Sequence, residues 1–213
     1  MKTIFFDLGG TLLDSDNIFE YIAGQWNIEN KKEIQDSLFS HFLKIKENSL
    51  NFKTVTQLLS EAVKEVSQEY NLLDISSEVR NFYKEIYLNR VYLFKDSLET
   101  LNFLKKKGYR LIVVSDADSE IVYPQLEKLG IKHFFTDFII SSDIKAYKPD
   151  TLVVNEAKKY CSMNEEESFF IGDSMVDIDT GKELGVTPII LSNIKYDNLL
   201  SYSSLSEFIK NQF

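Results

Sequence analysis

Cysteine, proline and tryptophan are nearly missing from this 213-residue chain, which has one cysteine, three prolines and one tryptophan, Trp26. The lone Cys161 excludes an internal disulfide and fits a reducing compartment. With only eight glycines besides, no linker rich in Pro, Gly or Ser interrupts the chain, and no internal repeat or low-complexity tract is present. The two histidines, His41 and His133, have no metal-ligand spacing. No apolar run approaches the roughly 20 residues of a membrane span, and the first residues carry no signal-peptide apolar core, so a cytoplasmic location is the expectation. Positive charge is also short: 24 Lys and Arg stand against 33 Asp and Glu, a net charge of −9. That sign argues against general binding to nucleic acid or to an anionic membrane. It leaves room for a small anionic ligand, because a few local groups or a metal override the global sign. Oligomeric state is left open.

What remains is ample for a packed globule. Hydrophobic residues make up 44% of the chain. The length suits one domain, or one domain with a smaller one inserted. Residues 3–8 are apolar and compact, the signature of a strand. From about 15 to 90 the apolar residues instead recur at helical spacing: Ile18, Tyr21 and Ile22; Leu38, Phe42 and Ile45; Leu58, Leu59, Ala62 and Val63; Val79, Phe82, Tyr83 and Ile86. From about 95 onward the pattern alternates. A helix stopping at Gly108 precedes the strand "RLIVVSD". A helix ending at Gly130 precedes "FTDFIISS". A helix over 151–161, with Cys161 as a small packed residue, precedes "ESFFIGD". A helix stopping near Gly185 precedes "TPIILSN". Runs apolar on both faces, separated by helices, predict an α/β fold: a Rossmann-like, doubly wound parallel sheet with an inserted all-helical domain. The core is expected over 1–14 and 91–213 and the helical cap over 15–90, with crossings near 13–16 and 88–96. Pro124 is expected to mark a late start or kink of its helix.

Parallel sheets of this kind bind ligands beyond the carboxyl ends of their strands. Strand one ends on Asp7. "LIVVSD" ends on Ser115 and Asp116. "FFIGDSMVD" ends on Asp173, with Asp177 four residues on. The loop "SSDIKAYKPD" carries Lys148. If these converge, the acids repel one another unless a cation lies between them. Hard oxygen ligands with room for phosphate oxygens imply Mg²⁺. Each residue also has a plainer reading. Asp7 and Asp173 could cap the following helices, Asp177 could be a first-turn acid, and Lys148 a turn lysine.

Taken together, "FFDLGGTLLD", "VVSD", "AYKPD" and "GDSMVDIDTGKELG" resemble the four motifs of the haloacid dehalogenase-like hydrolases, mostly phosphatases. The resemblance covers almost the whole chain. It implies a small phosphorylated substrate and an aspartyl-phosphate intermediate on Asp7. It implies Mg²⁺ held by Asp7, the Gly9 carbonyl and Asp173, with Asp177 near or in the outer shell. Ser115 and the N–H of Asp116 would hold phosphate oxygens, Lys148 would pair with Asp7 and the phosphoryl group, and Gly10 and Thr11 would shape the phosphate-facing turn. One position departs. The family's phosphatases read Asp-x-Asp-Gly-Thr, and this chain reads Asp7-Leu8-Gly9-Gly10-Thr11. The second acid, the family's proton donor and water activator, is replaced by Gly9. Asp14, Asp116 or His41 are the candidate surrogates.

Three readings follow: a slow phosphatase, phosphonate or haloacid chemistry on the same scaffold, or a phosphate-ligand binding protein. Phosphonate cleavage would need a particular cap lysine, and Lys31, Lys32, Lys44, Lys46 and Lys53 all offer one. The cap aromatics Phe19, Tyr21, Trp26, Phe39 and Phe42 are expected in a helical core, and any that line the cleft would favour an apolar or aryl substrate.

Overall fold

The structure is a computed structural model that describes residues 2–161 and 168–213. The chain runs β1 (Thr3–Phe6), β2 (Leu13–Ser15), α1 (Ile18–Ala23), α2 (Lys31–Asn48), α3 (Val55–Glu69) and α4 (Val79–Lys84), which a π-helical turn over Glu85–Asn89 prolongs. Next come β3 (Val91–Leu93), α5 (Ser97–Lys106), β4 (Arg110–Ser115), α6 (Ser119–Lys128), β5 (Asp137–Ile140) and α7 (Ser141–Ile144). The chain closes with α8 (Thr151–Lys158), β6 (Phe169–Gly172), α9 (Met175–Leu184), β7 (Thr187–Leu191), β8 (Leu200–Tyr202) and α10 (Leu205–Gln212).

Six strands form one parallel sheet in the order β5-β4-β1-β6-β7-β8. Because side chains alternate across a strand, Ile4, Phe6, Leu111, Val113 and Ile171 bury one face against α5, α6 and α10. Phe5, Ile112, Val114, Ile139 and Phe170 bury the other against α8 and α9. Burial on both faces is why these strands read as unbroken apolar runs. The helices start on local caps: Asn17 on α1, Thr54 on α3, Asp150 on α8 and Ser174 on α9. Gly185, in the left-handed region at φ 83°, ends α9.

The helices between β2 and β3 enclose a separate apolar cluster around Ile22, Trp26, Leu38, Leu59, Val63, Val66 and Val79. Ile121 of α6 joins that cluster, so the inserted helices sit directly over the sheet's helix α6. The two chain crossings pair as a short antiparallel ribbon, Leu13 to Leu93 through Ser15 to Val91. Arg90 braces it against Asp16 and Glu85.

Several expectations are corrected. The helix predicted over 151–161 stops at Lys158, and Cys161 follows it, half-buried beside the α8–α9 core. Residue 167 of the predicted strand "ESFFIGD" lies outside the described residues; the strand itself begins at Phe169. Pro124 marks no late start, since α6 begins five residues earlier at Ser119. Of the described residues, no helix is long and apolar enough to cross a membrane.

Candidate active site

The strand order decides where the acids go. β1 lies between β4 and β6, and connections leave it in opposite directions, which opens a crevice at the carboxyl ends. Asp7 follows β1 and keeps the ladder going through its N–H to the Ile171 carbonyl, at 2.9 Å. Ser115 ends β4 and Asp173 follows β6. Asp177 sits in the first turn of α9, where Ser174 and Asp177 form a capping box. Asp7, Asp173 and Asp177 each offer a carboxylate oxygen within 4.8 Å of the others.

Lys148 bridges two of them. Its Nζ donates to Asp7 Oδ1 at 2.6 Å and to Asp177 Oδ1 at 2.5 Å, and all three side chains are buried. The other oxygen of Asp177 accepts from the Ser174 N–H at 3.1 Å and Oγ at 2.6 Å. Both Asp177 oxygens are therefore engaged within the protein, which suits the outer position better than direct ligation. Three carboxylates against one ammonium leave two negative charges in a small volume. A hard divalent cation fits that charge and that donor set.

The titrations follow. Burial, reinforced by Asp177 and Asp173, pushes Asp7 up to about 7 against the pull of Lys148. Burial and Asp177 raise Asp173 as well. Burial alone would lower Lys148, but Asp7, Asp177 and Asp116 overcome it and hold the ammonium above the ordinary lysine value. Asp7 thus binds more protons folded than unfolded between its ordinary value and about 7. Its contribution to stability is largest below the unfolded value and declines as pH rises toward 7. In metal-free protein, the thermal midpoint should fall between about pH 4 and about pH 7. Asp7→Asn should flatten that fall, and so should added Mg²⁺. Thermal scans across the pH series would check this, and equal slopes in wild type and variant would refute it.

The turn after Asp7 is tight: the Leu8 carbonyl accepts from the N–H groups of Thr11, Leu12 and Leu13. Gly10 takes φ +72°, and a Cβ there would lie 2.1 Å from Asp173 Oδ2. Gly10 is therefore the seat of Asp173 rather than a wall of the crevice. With Thr11 it faces a second cavity, of about 540 Å³, on the far side of the loop. Gly10→Ala should cost about 1–3 kcal/mol through backbone strain and displace Asp173. A lowered melting point with weakened Mg²⁺ binding by calorimetry is the expected result. Gly9 differs: an added Cβ would meet nothing within 4 Å, and Gly9 lines the crevice.

The crevice is a cavity of about 370 Å³ between the sheet's strand ends and the inserted helices. Asp7, Ser115, Asp116, Lys148, Asp173 and Asp177 all line it. Asp116 does more than supply an N–H after Ser115. Its Oδ1 accepts from the Lys148 N–H at 2.8 Å, and its Oδ2 lies 3.5 Å from Lys46 Nζ, which reaches down from α2. Lys46 also sits 3.9 Å over the Tyr147 ring. Of the five lysines open in the sequence, Lys46 is the one that lines the cavity. Of the three surrogate acids, only Asp116 does. Asp14 is exposed on the ribbon, and His41 is held between Glu65 and Glu69 at 2.7 and 2.8 Å. Phe19 and Phe42 line the cavity, while Tyr21, Trp26 and Phe39 do not.

Sequence reasoning overlooks Asp118. Its carboxylate accepts from the Val55 and Thr56 N–H groups at 2.8 and 2.9 Å, so a residue beside the sheet caps helix α3 of the inserted unit. No local pattern announces a cap supplied from 62 and 63 residues away.

Comparison with known proteins bears on the fold and the family. The chain is 27% identical to a glyceraldehyde 3-phosphate phosphatase of Pyrococcus furiosus, over 98% of this chain and 88% of the relative. It is 28% identical to a phosphoglycolate phosphatase of Vibrio cholerae, over 87% and 81%. In fold it is similar to the magnesium-bound HAD-hydrolase YfnB from Bacillus subtilis, with a TM-score of 0.78, 20% identity and 99% and 98% coverage. It is similar in fold too to the L-2-haloacid dehalogenase RSc1362, with a TM-score of 0.80, 12% identity and 100% and 98% coverage. The profile of the haloacid dehalogenase-like hydrolases matches residues 4–191, and the chain belongs to that family.

Proposed function

We propose that the protein is a Mg²⁺-dependent phosphomonoesterase that works through an aspartyl-phosphate on Asp7. The observation that carries this reading is the Asp7 carboxylate in the crevice, held by Lys148 beside Asp173 and Asp177. Asp7 attacks phosphorus, and the ester oxygen leaves. Lys148 favours the ionised form of Asp7 and orients it, and its charge offsets that of the incoming phosphoryl group. Ser115 and the Asp116 N–H receive phosphate oxygens. Mg²⁺ would be held by Asp7, the Gly9 carbonyl and Asp173, with Asp177 behind them, and would supply neutralisation of carboxylate and phosphate charge. Residues 15–90 act as a cap that excludes water during the first displacement, and the β2–β3 ribbon is its hinge.

General acid help is the missing part. It is worth roughly 10²- to 10⁴-fold where present. Asp116 lines the cavity, but its two oxygens are engaged by Lys148 and Lys46. Turnover should therefore favour esters whose leaving group departs unprotonated. The names of the relatives support a phosphatase acting on small metabolites. The test is release of inorganic phosphate from acetyl phosphate with Mg²⁺ and after chelation. Metal-dependent release is expected. No release, or release indifferent to chelator, would overturn the reading.

A further inference from the structure

The cavity is sharply divided between its two sides. Its floor is charged: Asp7, Asp116, Lys148, Asp173 and Asp177. Its roof is apolar: Ile18 and Phe19 of α1, Phe42 of α2, and Val55 and Leu59 of α3, with the ring of Tyr83 beside them. Phe19 and Phe42 meet edge to face, their centroids 5.5 Å apart. Of the polar groups near the roof, three already have partners. Lys46 reaches Asp116 and lies over Tyr147. The Tyr147 hydroxyl donates to the Lys53 carbonyl at 2.8 Å, and the Gln125 amide donates to the Tyr87 carbonyl at 2.8 Å. A polyol placed against the Phe19 and Phe42 rings would lose its water without matched partners on those side chains. An aromatic ring loses nothing there and gains edge contacts. Space allows it, since an apolar cavity of about 150 Å³ accepts a benzene ring.

A second, independent feature points the same way. With glycine at position 9, the leaving oxygen departs as an anion. Phenols ionise near 10, as tyrosine does, whereas an aliphatic alcohol lies nearer water's 15.7. An aryl ester suits both the roof and the missing acid.

We propose that the substrate class is the aryl phosphates: a single aromatic ring under the Phe19–Phe42 roof, with its phosphate on the Asp7 floor. This rests on the phosphatase reading above and narrows it. The Asp7 oxygen–phosphorus bond forms as the phosphorus–aryloxy bond breaks. The aryloxide leaves with the bonding pair and takes a proton from solvent. Water then attacks phosphorus and the pair of the breaking bond returns to the Asp7 carboxylate; one water proton stays on the new phosphate hydroxyl and the other passes to solvent.

Non-hydrolysable phosphonates test recognition apart from turnover. Calorimetric binding to the Mg²⁺-loaded protein should rank phenylphosphonate above methylphosphonate and phosphonoacetate by at least about 20-fold. Phe42→Asn should collapse the phenyl-to-methyl ratio toward one. Phe19→Ser serves the same purpose should the first variant not fold. The proposal is overturned if phosphonoacetate binds as well as phenylphosphonate, or if the wild-type ratio is near one. Failure of the broader reading looks different: acetyl phosphate would not be hydrolysed at all.

Discussion

Asparagine in place of Asp7 is expected to cut phosphate release by roughly 10⁴-fold or more without unfolding the protein. The amide has the shape of the carboxylate and can still accept from Lys148 through its oxygen. What it lacks is the anionic oxygen that would bond to phosphorus. It also removes one of three crowded negative charges, so phosphate affinity should hold or rise while turnover disappears. Acid-quenching during turnover would check the mechanism directly. Wild type should trap phosphate on protein as a hydroxylamine-labile acyl phosphate, and Asp7→Asn should trap none. A variant within tenfold of wild type would place the nucleophile elsewhere.

Gly9→Asp should act in the opposite direction, raising turnover of alkyl phosphates by roughly 10²- to 10⁴-fold. The position permits it: an added Cβ meets nothing within 4 Å, and the residue lines the cavity that holds Asp7. The gain should shrink for aryl and acyl phosphates, whose leaving groups need no proton. The ratio of kcat/KM values for an alkyl and an aryl ester therefore reads the effect free of expression or folding differences. Gly9→Asn, equal in size but with no proton to donate at neutral pH, should show no such gain. A fifth acid in the crevice, beside Asp7, Asp116, Asp173 and Asp177, also deepens the charge excess, so the variant should need more Mg²⁺ for stability. If aspartate and asparagine at position 9 behaved alike, proton supply would not be what limits this enzyme.

Much of the fold is legible in the sequence, because the signals are local. The unbroken apolar runs at residues 4–6 and 111–114 mark strands buried on both faces. The first-turn acid Asp177, the stop at Gly185 and the helical spacing of 55–66 each act within a turn or two. The order of Asp7, Ser115, Lys148 and Asp173 along the chain was enough to suggest which residues share a crevice. Local signals also mislead at their edges. The helix after Asp150 ends at Lys158 rather than 161, and α6 runs through Pro124 instead of starting at it.

The sequence by itself determined the parallel α/β core, the helical insertion, the family and the glycine where an acid is usual. Only the tertiary structure decided how the side chains are paired. It set Lys148 between Asp7 and Asp177, partners 141 and 29 residues away. It turned Gly10 toward Asp173, chose Lys46 from five lysines, and brought Phe19 and Phe42 over the site while leaving Trp26 in the helical core. The reason is range. Strand and helix periods are set by neighbours a few residues apart, whereas a pairing depends on where whole elements come to rest, and no short stretch of sequence carries that distance.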